Sequence, residues 1–309
     1  MIYFYNFSYK VGTQFANYVY VKFNGGGLMK RIINTSELIP VISQLVMKAC
    51  YELDDNVMEA FRNAYEKEES PYSKDTLKLL IENAEYAKRE QVACCHDTGT
   101  CVVILELGQD ITWEGELLTD QVNAGVRKGY AEGYLRKSMV KDPLDRENTN
   151  DNTPAVIHTE IVPGDKVTIT VMPKGGGSEN MGSFKTLVPG EGIEGVKKFV
   201  MDTIKSAGGK TCPPIIVGVG VGGTMDKCAW LSKKALLRPI GERNPKLLYA
   251  KLEEELLEEI NKTGIGTLGM GGTVTALDVH IDYFPCHITA LPVAVNLQCH
   301  ASRHAKITI

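Results

Sequence analysis

Although the 309-residue chain carries eight cysteines, it contains no Cys-x-x-Cys pair. Zinc fingers and ribbons take their ligands in such local pairs, so those classes are excluded, and any metal site must be assembled from distant cysteines by the tertiary fold. With no secretory leader to read, the thiols are expected to stay reduced in a cytoplasmic setting, as ligands, nucleophiles or core residues. No apolar run approaches the roughly 20 residues of a membrane span. Positive charge is not in excess either. The formal net charge of -4 gives no global attraction to nucleic acid or to an anionic membrane. The glycine-rich run 218–223 meets neither the dinucleotide fingerprint in its proper context nor the phosphate-loop pattern, which argues against nucleotide binding. No internal repeat and no linker divides the chain.

Acidic residues are missing from the first 29 positions, which are rich in aromatics (Tyr3, Phe4, Tyr5, Phe7, Tyr9) and end in Gly25-Gly26-Gly27-Leu28-Met29. Residues 1–29 are expected to be an extension, with Met29 as a plausible start, and residues 30–309 to form the main domain. A transit peptide would also avoid acids, but no arginine precedes Arg31 and serine is scarce. The hydrophobic content of 43% and charged content of 23% are those of a soluble globular protein, long enough for a large core.

The stretch that no packed core requires is Cys94-Cys95-His96-Asp97-Thr98-Gly99-Thr100. It sets two thiols, an imidazole, a carboxylate and two hydroxyls on a turn feeding the apolar run 101–107, and loops at strand ends are where chemistry usually sits. The bland alternative is a buried cysteine beside ordinary Asp-Thr-Gly turn chemistry. Two later cysteines in equally odd settings weigh against it: Cys212 before Pro213-Pro214, and Cys299 before His300. Glycine clusters at 175–177, 218–223 and 264–272. Those three loops are expected to bring backbone close to something.

Periodicity predicts a helix from Thr35-Ser36-Glu37 with Leu38, Ile42, Val46 and Cys50 on one face, then a second capped by Asp54-Asp55-Asn56. Ser73-Lys74-Asp75 is expected to open a third, burying Leu77, Leu79, Leu80, Ala84 and Ala87. Further on come a helix over 118–134, strands at 156–161 and 166–172 around the turn Pro163-Gly164-Asp165, a helix ending at Ala207, and a buried strand at 215–221. A helix through Ala229 and Leu236 follows. The next helix carries Glu253-Glu254-Glu255 as a solvated face, and an alternating strand spans 275–281. The polar passage 148–154 reads either as a solvated loop or as one that closes over a polar ligand.

Three thiolates on three loops are too few for structural zinc, which takes four protein ligands. A cubane four-iron four-sulfur cluster held by three cysteines leaves one iron open as a Lewis acid. Asp97, His287 or Arg136 could then handle protons and substrate charge. That is the chemistry of adding water to a double bond beside a carboxylate.

The blocks CHDTGT, GYLRKSMVKDPLDRENTNDNTPAVIHTEIVPGD, KGGGSENMGS, CPPIIVGVGVGGT, KKALLRPIG and HITALPVAVNLQCHASRHA follow one another between about Arg31 and Lys306. In that order they resemble the alpha subunit of the two-subunit class I (iron–sulfur) fumarate hydratases, of the fumarate/tartrate hydro-lyase family. The resemblance implies a mixed α/β fold, with an N-terminal helical subdomain and mixed-sheet subdomains packed around the cluster site. It implies reversible hydration of fumarate to (S)-malate, with one four-iron four-sulfur cluster per alpha subunit held by Cys95, Cys212 and Cys299. Cys94, Cys101, Cys228 and Cys286 are left to packing. Asp97 and His287 match catalytic residues, while His96, Arg136 and Gly176 match positions at the substrate, for which the planar guanidinium of an arginine is suited.

Two positions depart from the usual pattern: His96 stands where the family usually has Gln, and Gly176 where many relatives have a bulkier residue. The chain ends at Ile309 before the family's second substrate-binding region, so a beta subunit is expected to supply it, in a heterotetramer of two alpha and two beta chains. A dicarboxylate is the expected substrate, with no nucleic-acid or membrane partner. The runner-up is an L-tartrate dehydratase alpha subunit. A non-catalytic iron–sulfur sensor or electron-transfer protein is the reading from another class, and it would call for four cysteine ligands.

Overall fold

The computed structural model describes the backbone of residues 2–11 and 14–23 and the whole of residues 31–309. The start expected at Met29 lies outside the described residues. Strands β1 (Ile2–Val11) and β2 (Gln14–Phe23) pair as an antiparallel hairpin.

The main body is layered, and the alternation of side chains along its strands shows why. After β3 (Arg31–Asn34), helices α1 (Leu38–Tyr51), α2 (Asp55–Lys67) and α3 (Pro71–Glu90) lead into β4 (Thr100–Gly108). Then come β5 (Ile111–Glu114), α4 (Leu118–Glu132), β6 (Val156–Val162) and β7 (Val167–Lys174). Strands β4, β6 and β7 join the last strand, β12 (Ala305–Thr308), in a sheet ordered β12-β7-β4-β6, parallel only between β4 and β6, while β3 and β5 pair in parallel beside it. Successive strand residues face opposite sides. Cys101, Val103 and Leu105 accordingly meet α1 and α4, whereas Val102 and Ile104 meet Trp230 and Leu237 on the other side. Helices α1 and α4 cross closely because Gly125 and Gly129 lie over Ile42, Ser43 and Val46; a Cβ at Gly129 would stand 2.9 Å from the Ser43 carbonyl.

A second sheet follows from α5 (Gly176–Glu179), β8 (Ser183–Leu187), α6 (Gly192–Ala207), β9 (Ile215–Gly222), α7 (Met225–Ala235), α8 (Leu247–Asn261), β10 (Ala276–Phe284) and β11 (Leu291–Gln298). Its order is β10-β9-β11-β8, with β10 and β9 parallel and the rest antiparallel. Val217, Val219 and Val221 pack against α6 and α8. Gly218 and Gly220 face the other way, onto α7. Helix α7 is thus the middle layer, with Trp230 on the first sheet and Cys228 against the glycines of the second. Helices α2 and α3 cap the thiol end of these layers, in a core that includes Cys94, Cys95, Ala301 and Cys299. Among the described residues no helix is long and apolar enough to cross a membrane.

The mixed α/β expectation holds, and several local readings are corrected. Helix α3 starts at Pro71, so Ser73 is an internal, buried residue that donates to the Gly271 carbonyl, and Leu79 is exposed. Glu253 is not on a solvated face. It is 0% exposed and accepts from Arg238 Nη1 at 2.6 Å, Ile281 N at 2.7 Å and Asn244 N at 2.9 Å. The strand at β10 is buried on both sides through Asp278–Ile281, because Asp278 is matched by Arg243, Gly241 N and His280. All three glycine clusters bring backbone close to a neighbour, and two of them do so at the thiol loops: Gly176 N–H donates to Asp97, and the 264–272 loop packs on the Cys212 loop, with Leu268 N–H on the Pro213 carbonyl at 2.9 Å. Gly218 and Gly220 admit helix α7, and Gly272 lies on the Glu68 carboxylate, which collects the backbone N–H groups of Ser70, Thr273 and Val274.

Candidate functional site

Cys95, Cys212 and Cys299 lie at the same end of the molecule because the two sheets end there together. Cys95 and Asp97 precede the first residue of β4, whose partner across the ladder, Lys174, ends β7 and opens the Gly175-Gly176-Gly177 loop. Cys212 precedes β9 and Cys299 follows β11, and the antiparallel register that pairs Gln298 with Ile216 puts the two side by side. The His300 N–H donates to the Cys212 carbonyl at 3.0 Å, tying those loops together. Cys212 itself sits in the left-handed region (φ 54°), the only one of the three cysteines that does.

Asp97 connects two of the other expected residues, Gly176 and Arg136. Its Oδ2 accepts from the Gly176 N–H at 2.8 Å, and its Oδ1 accepts from the Gly99 N–H at 3.0 Å and lies 3.4 Å from Arg136 Nη2. Arg136 also donates from Nε to Ser138 Oγ at 3.3 Å, and it is otherwise exposed. The floor beneath is fixed by groups that sequence reasoning did not single out. Tyr130 donates to the Thr98 carbonyl at 2.7 Å, Asn152 donates to the Gly99 carbonyl at 3.1 Å, and Thr98 Oγ1 donates to the Arg136 carbonyl at 2.8 Å. Asn152 Oδ1 in turn accepts from Ser138 N and Met139 N. The polar passage around it is therefore not a free solvated loop. Its buried member Asn152 joins the Asp97 loop to the Arg136 loop.

Burial pushes Cys212 and Cys299 above the ordinary thiol range, and the three thiols interact. Cys299 and Cys95 raise Cys212 further, whereas the Arg303 and Lys174 cations beside Cys299 pull it back down. Burial brings Lys174 to about 8 despite the carboxylate of Glu179 at 3.3 Å, and it donates to the Leu297 carbonyl at 2.5 Å. His300 is driven to about 4 by burial, with Arg303 acting in the same direction. Cys50, Cys101 and Cys228 are fully buried in cores, and burial raises Cys50 and Cys228 to about 12. Among the described residues no three His, Cys, Asp or Glu side chains converge closely enough for a single metal ion.

Two expected site residues stand apart. His96 is exposed, and no hydrogen bond from the described residues holds its ring. His287 lies at the other end of the second sheet, in the exposed connection between β10 and β11, with its Nδ1 on Thr289 Oγ1 at 2.8 Å. The ladder from Gln298/Ile216 to Val293/Val221 separates it from Cys212 and Cys299, roughly 20 Å at the usual strand rise. Within one chain, His287 is not brought to the thiols. The residue that sequence reasoning missed is Arg303, which is 1% exposed and donates from Nη2 to the Asp97 carbonyl. Its one sequence signal is a charge between Ala301 and Ala305, four positions after Cys299.

The α/β body gathers three free thiols, a carboxylate, an arginine and a glycine loop at one edge, the make-up of a lyase site. Residues 39–308 match the family model described as fumarate hydratase (Fumerase), and the chain belongs to that family of hydro-lyases. It is 46% identical over 271 residues, 86% of this chain and 95% of the relative, to a Methanocaldococcus jannaschii protein named "Putative L(+)-tartrate dehydratase subunit alpha". It is 32% identical over 278 residues, 89% of this chain and 91% of the relative, to proteins named L(+)-tartrate dehydratase subunit alpha from Escherichia coli strain K12 and Shigella sonnei.

Proposed function

We propose that this chain is the alpha subunit of a two-subunit iron–sulfur hydro-lyase that interconverts fumarate and (S)-malate, with Cys95, Cys212 and Cys299 holding a four-iron four-sulfur cluster. The observation that carries the reading is the meeting of these three thiols, from three separate loops, beside the Asp97–Gly176–Arg136 group. The donor set fits such a group. In a cubane each thiolate meets a different iron, so the sulfurs stand farther apart than around one ion, in keeping with thiols that interact but do not converge on a single point. When bound, the cluster would supply a Lewis-acidic iron for the oxygen that leaves or enters.

The protein's own residues supply the rest. Arg136 presents a planar donor to a substrate carboxylate, and Asp97 and Ser138 hold it in position. Asp97 is the carboxylate beside the thiols and Arg136, and we assign it the proton transfer; the Gly99 and Gly176 N–H groups fix its direction. A four-carbon dicarboxylate needs cationic partners at both ends, and Arg136 serves one. The name "subunit alpha" carried by the relatives supports a beta chain that completes the other.

A second reading, dehydration of L-tartrate, is favoured by those same names. The test is anaerobic assay of the chain co-produced with its beta subunit on fumarate, (S)-malate and L-tartrate. Turnover of fumarate and malate above tartrate supports the first reading; the reverse order establishes the second. Loss of about four irons on changing Cys95, Cys212 or Cys299 to Ser, but not Cys228 to Ala, is expected for the ligand assignment. A cluster that survives loss of Cys299 would refute it.

A further inference from the structure

Arg303 carries a buried positive charge that no carboxylate among the described residues matches. A guanidinium stays protonated throughout the physiological range, and a charge taken out of water needs a matching charge or a full set of acceptors. Arg303 has neither. Among the described residues its one oxygen acceptor is the Asp97 backbone carbonyl, the Cys94 thiol lies within its hydrogen-bonding reach, and Nε and Nη1 have no nitrogen or oxygen partner. Asp97's carboxylate does not serve, because it is engaged by Gly99 N, Gly176 N and Arg136. Four thiols, those of Cys50, Cys94, Cys299 and Cys95, are the groups beside the guanidinium that could carry negative charge, and burial holds Cys50, Cys94 and Cys299 above the ordinary thiol range.

Two of those four, Cys95 and Cys299, are proposed cluster ligands; the other two are packed in cores. The unpartnered N–H groups therefore belong to a side chain that lies among the thiols and lacks an anion with soft acceptors. A cluster held by three thiolates is such an anion, since the sulfides and thiolates outweigh the charge of the irons, and hydrogen bonds to its sulfurs are among the protein's levers on it. Arg303 reaches the reacting region through a second contact as well, because its Nη2 pins the Asp97 backbone between the first thiol and the catalytic carboxylate.

We propose that Arg303 is the internal counter-cation of the cluster site, donating Nε–H and Nη1–H to the sulfur-rich anion held by Cys95, Cys212 and Cys299 while Nη2 positions Asp97. The proposal rests on the cluster reading above. It makes Arg303 a positioning residue, and the predicted signature is electrical as well as kinetic. A fixed positive charge stabilises the more negative, reduced cluster, so removing it shifts the reduction potential to more negative values.

The test uses the full chain, reconstituted anaerobically with iron and sulfide, as wild type, Arg303→Met and Arg303→Lys. Cluster loss to a chelator, the reduction potential, and the thermal midpoint with and without the cluster are measured. Expected for Arg303→Met are a more negative potential, cluster loss about tenfold faster, and a thermal midpoint that falls in the loaded protein but not in the cluster-free one. Arg303→Lys keeps the charge but not the fork. Its potential should stay near wild type while cluster loss still accelerates, which keeps the proposal testable if the Met variant does not fold. Unchanged potential and loss rate in a folded Met variant, or wild-type loss from the Lys variant, would overturn the role of Arg303 alone. Failure of the wild type to take up iron and sulfide would instead overturn the cluster reading and this proposal with it.

Discussion

The Gly176 backbone N–H donates to Asp97 Oδ2 at 2.8 Å, so the glycine loop that ends β7 and the cysteine loop that precedes β4 share one carboxylate. Two segments 79 residues apart are thereby set against each other at the mouth of the site. The carboxylate is directional rather than free, because Gly99 N and Arg136 occupy its other oxygen.

Asp97→Asn tests that arrangement. The amide keeps one acceptor and loses the charge that faces Arg136, so turnover by the complete enzyme should fall by at least about 100-fold, the scale of a lost acid–base group. Stability should drop by only about 1 kcal/mol. Steady-state kinetics and urea denaturation of the same preparation separate the two, and wild-type turnover would remove Asp97 from the chemistry.

Gly220→Ala tests whether the glycines of β9 serve packing. The added Cβ would stand 2.1 Å from the Cys228 carbonyl, on helix α7, and no flexible side chain is there to yield. A loss of about 3 kcal/mol is expected, the upper range for an overpacked core. Gly190→Ala, with nothing within 4 Å of the new atom, should leave the urea midpoint unchanged. Equal midpoints for the two variants would contradict the packing account.

Glu253→Ala should be far more costly than Glu254→Ala. The first leaves Arg238, Asn244 N and Ile281 N without their buried acceptor, an effect of about 3–5 kcal/mol. The second removes an exposed charge and should change stability by less than about 0.5 kcal/mol. Denaturant midpoints measured side by side give the answer.

Asp151 supplies a pH test. Burial opposes its ionisation, but hydrogen bonds from Arg127, Thr153 N and Thr153 Oγ1 more than offset this and bring the carboxyl down to about 2. A depressed folded-state value contributes stability that is present above the unfolded value, 3.8, and is lost as pH falls through the folded one. Asp151→Asn should therefore be less stable than wild type by about 1 kcal/mol at pH 7, allowing for partial solvent screening. The difference should close as the pH is lowered from about 4 toward 2. A gap that stayed constant over that range would rule out the charge as its source.

The readable parts of this protein are those whose causes are local. The helical spacing of Leu38, Ile42, Val46 and Cys50 predicted α1, and the unbroken apolar run at 215–221 predicted the buried strand β9. The odd chemistry around Cys95, Cys212 and Cys299 marked three loops, and all three lie at one end of the sheets. Local pattern failed where a distant group sets the environment. Glu253 and Glu254 are alike in sequence, yet one is sealed by Arg238 and Asn244 and the other is solvated.

By itself the sequence determined the donor chemistry and the periodic elements, because side-chain identity and the periods of helix and strand are properties of neighbouring residues. Only the tertiary structure decided which groups meet. The ladder register sets Cys299 beside Cys212 and puts His287 at the far end of the same sheet. The crossing of β7 and β4 hands Gly176 to Asp97. The path of the tail after β11 carries Arg303 beneath the thiols. The physical reason is that strand pairing joins residues far apart in the chain, and their separation in space depends on register and layer order, which no local spacing encodes.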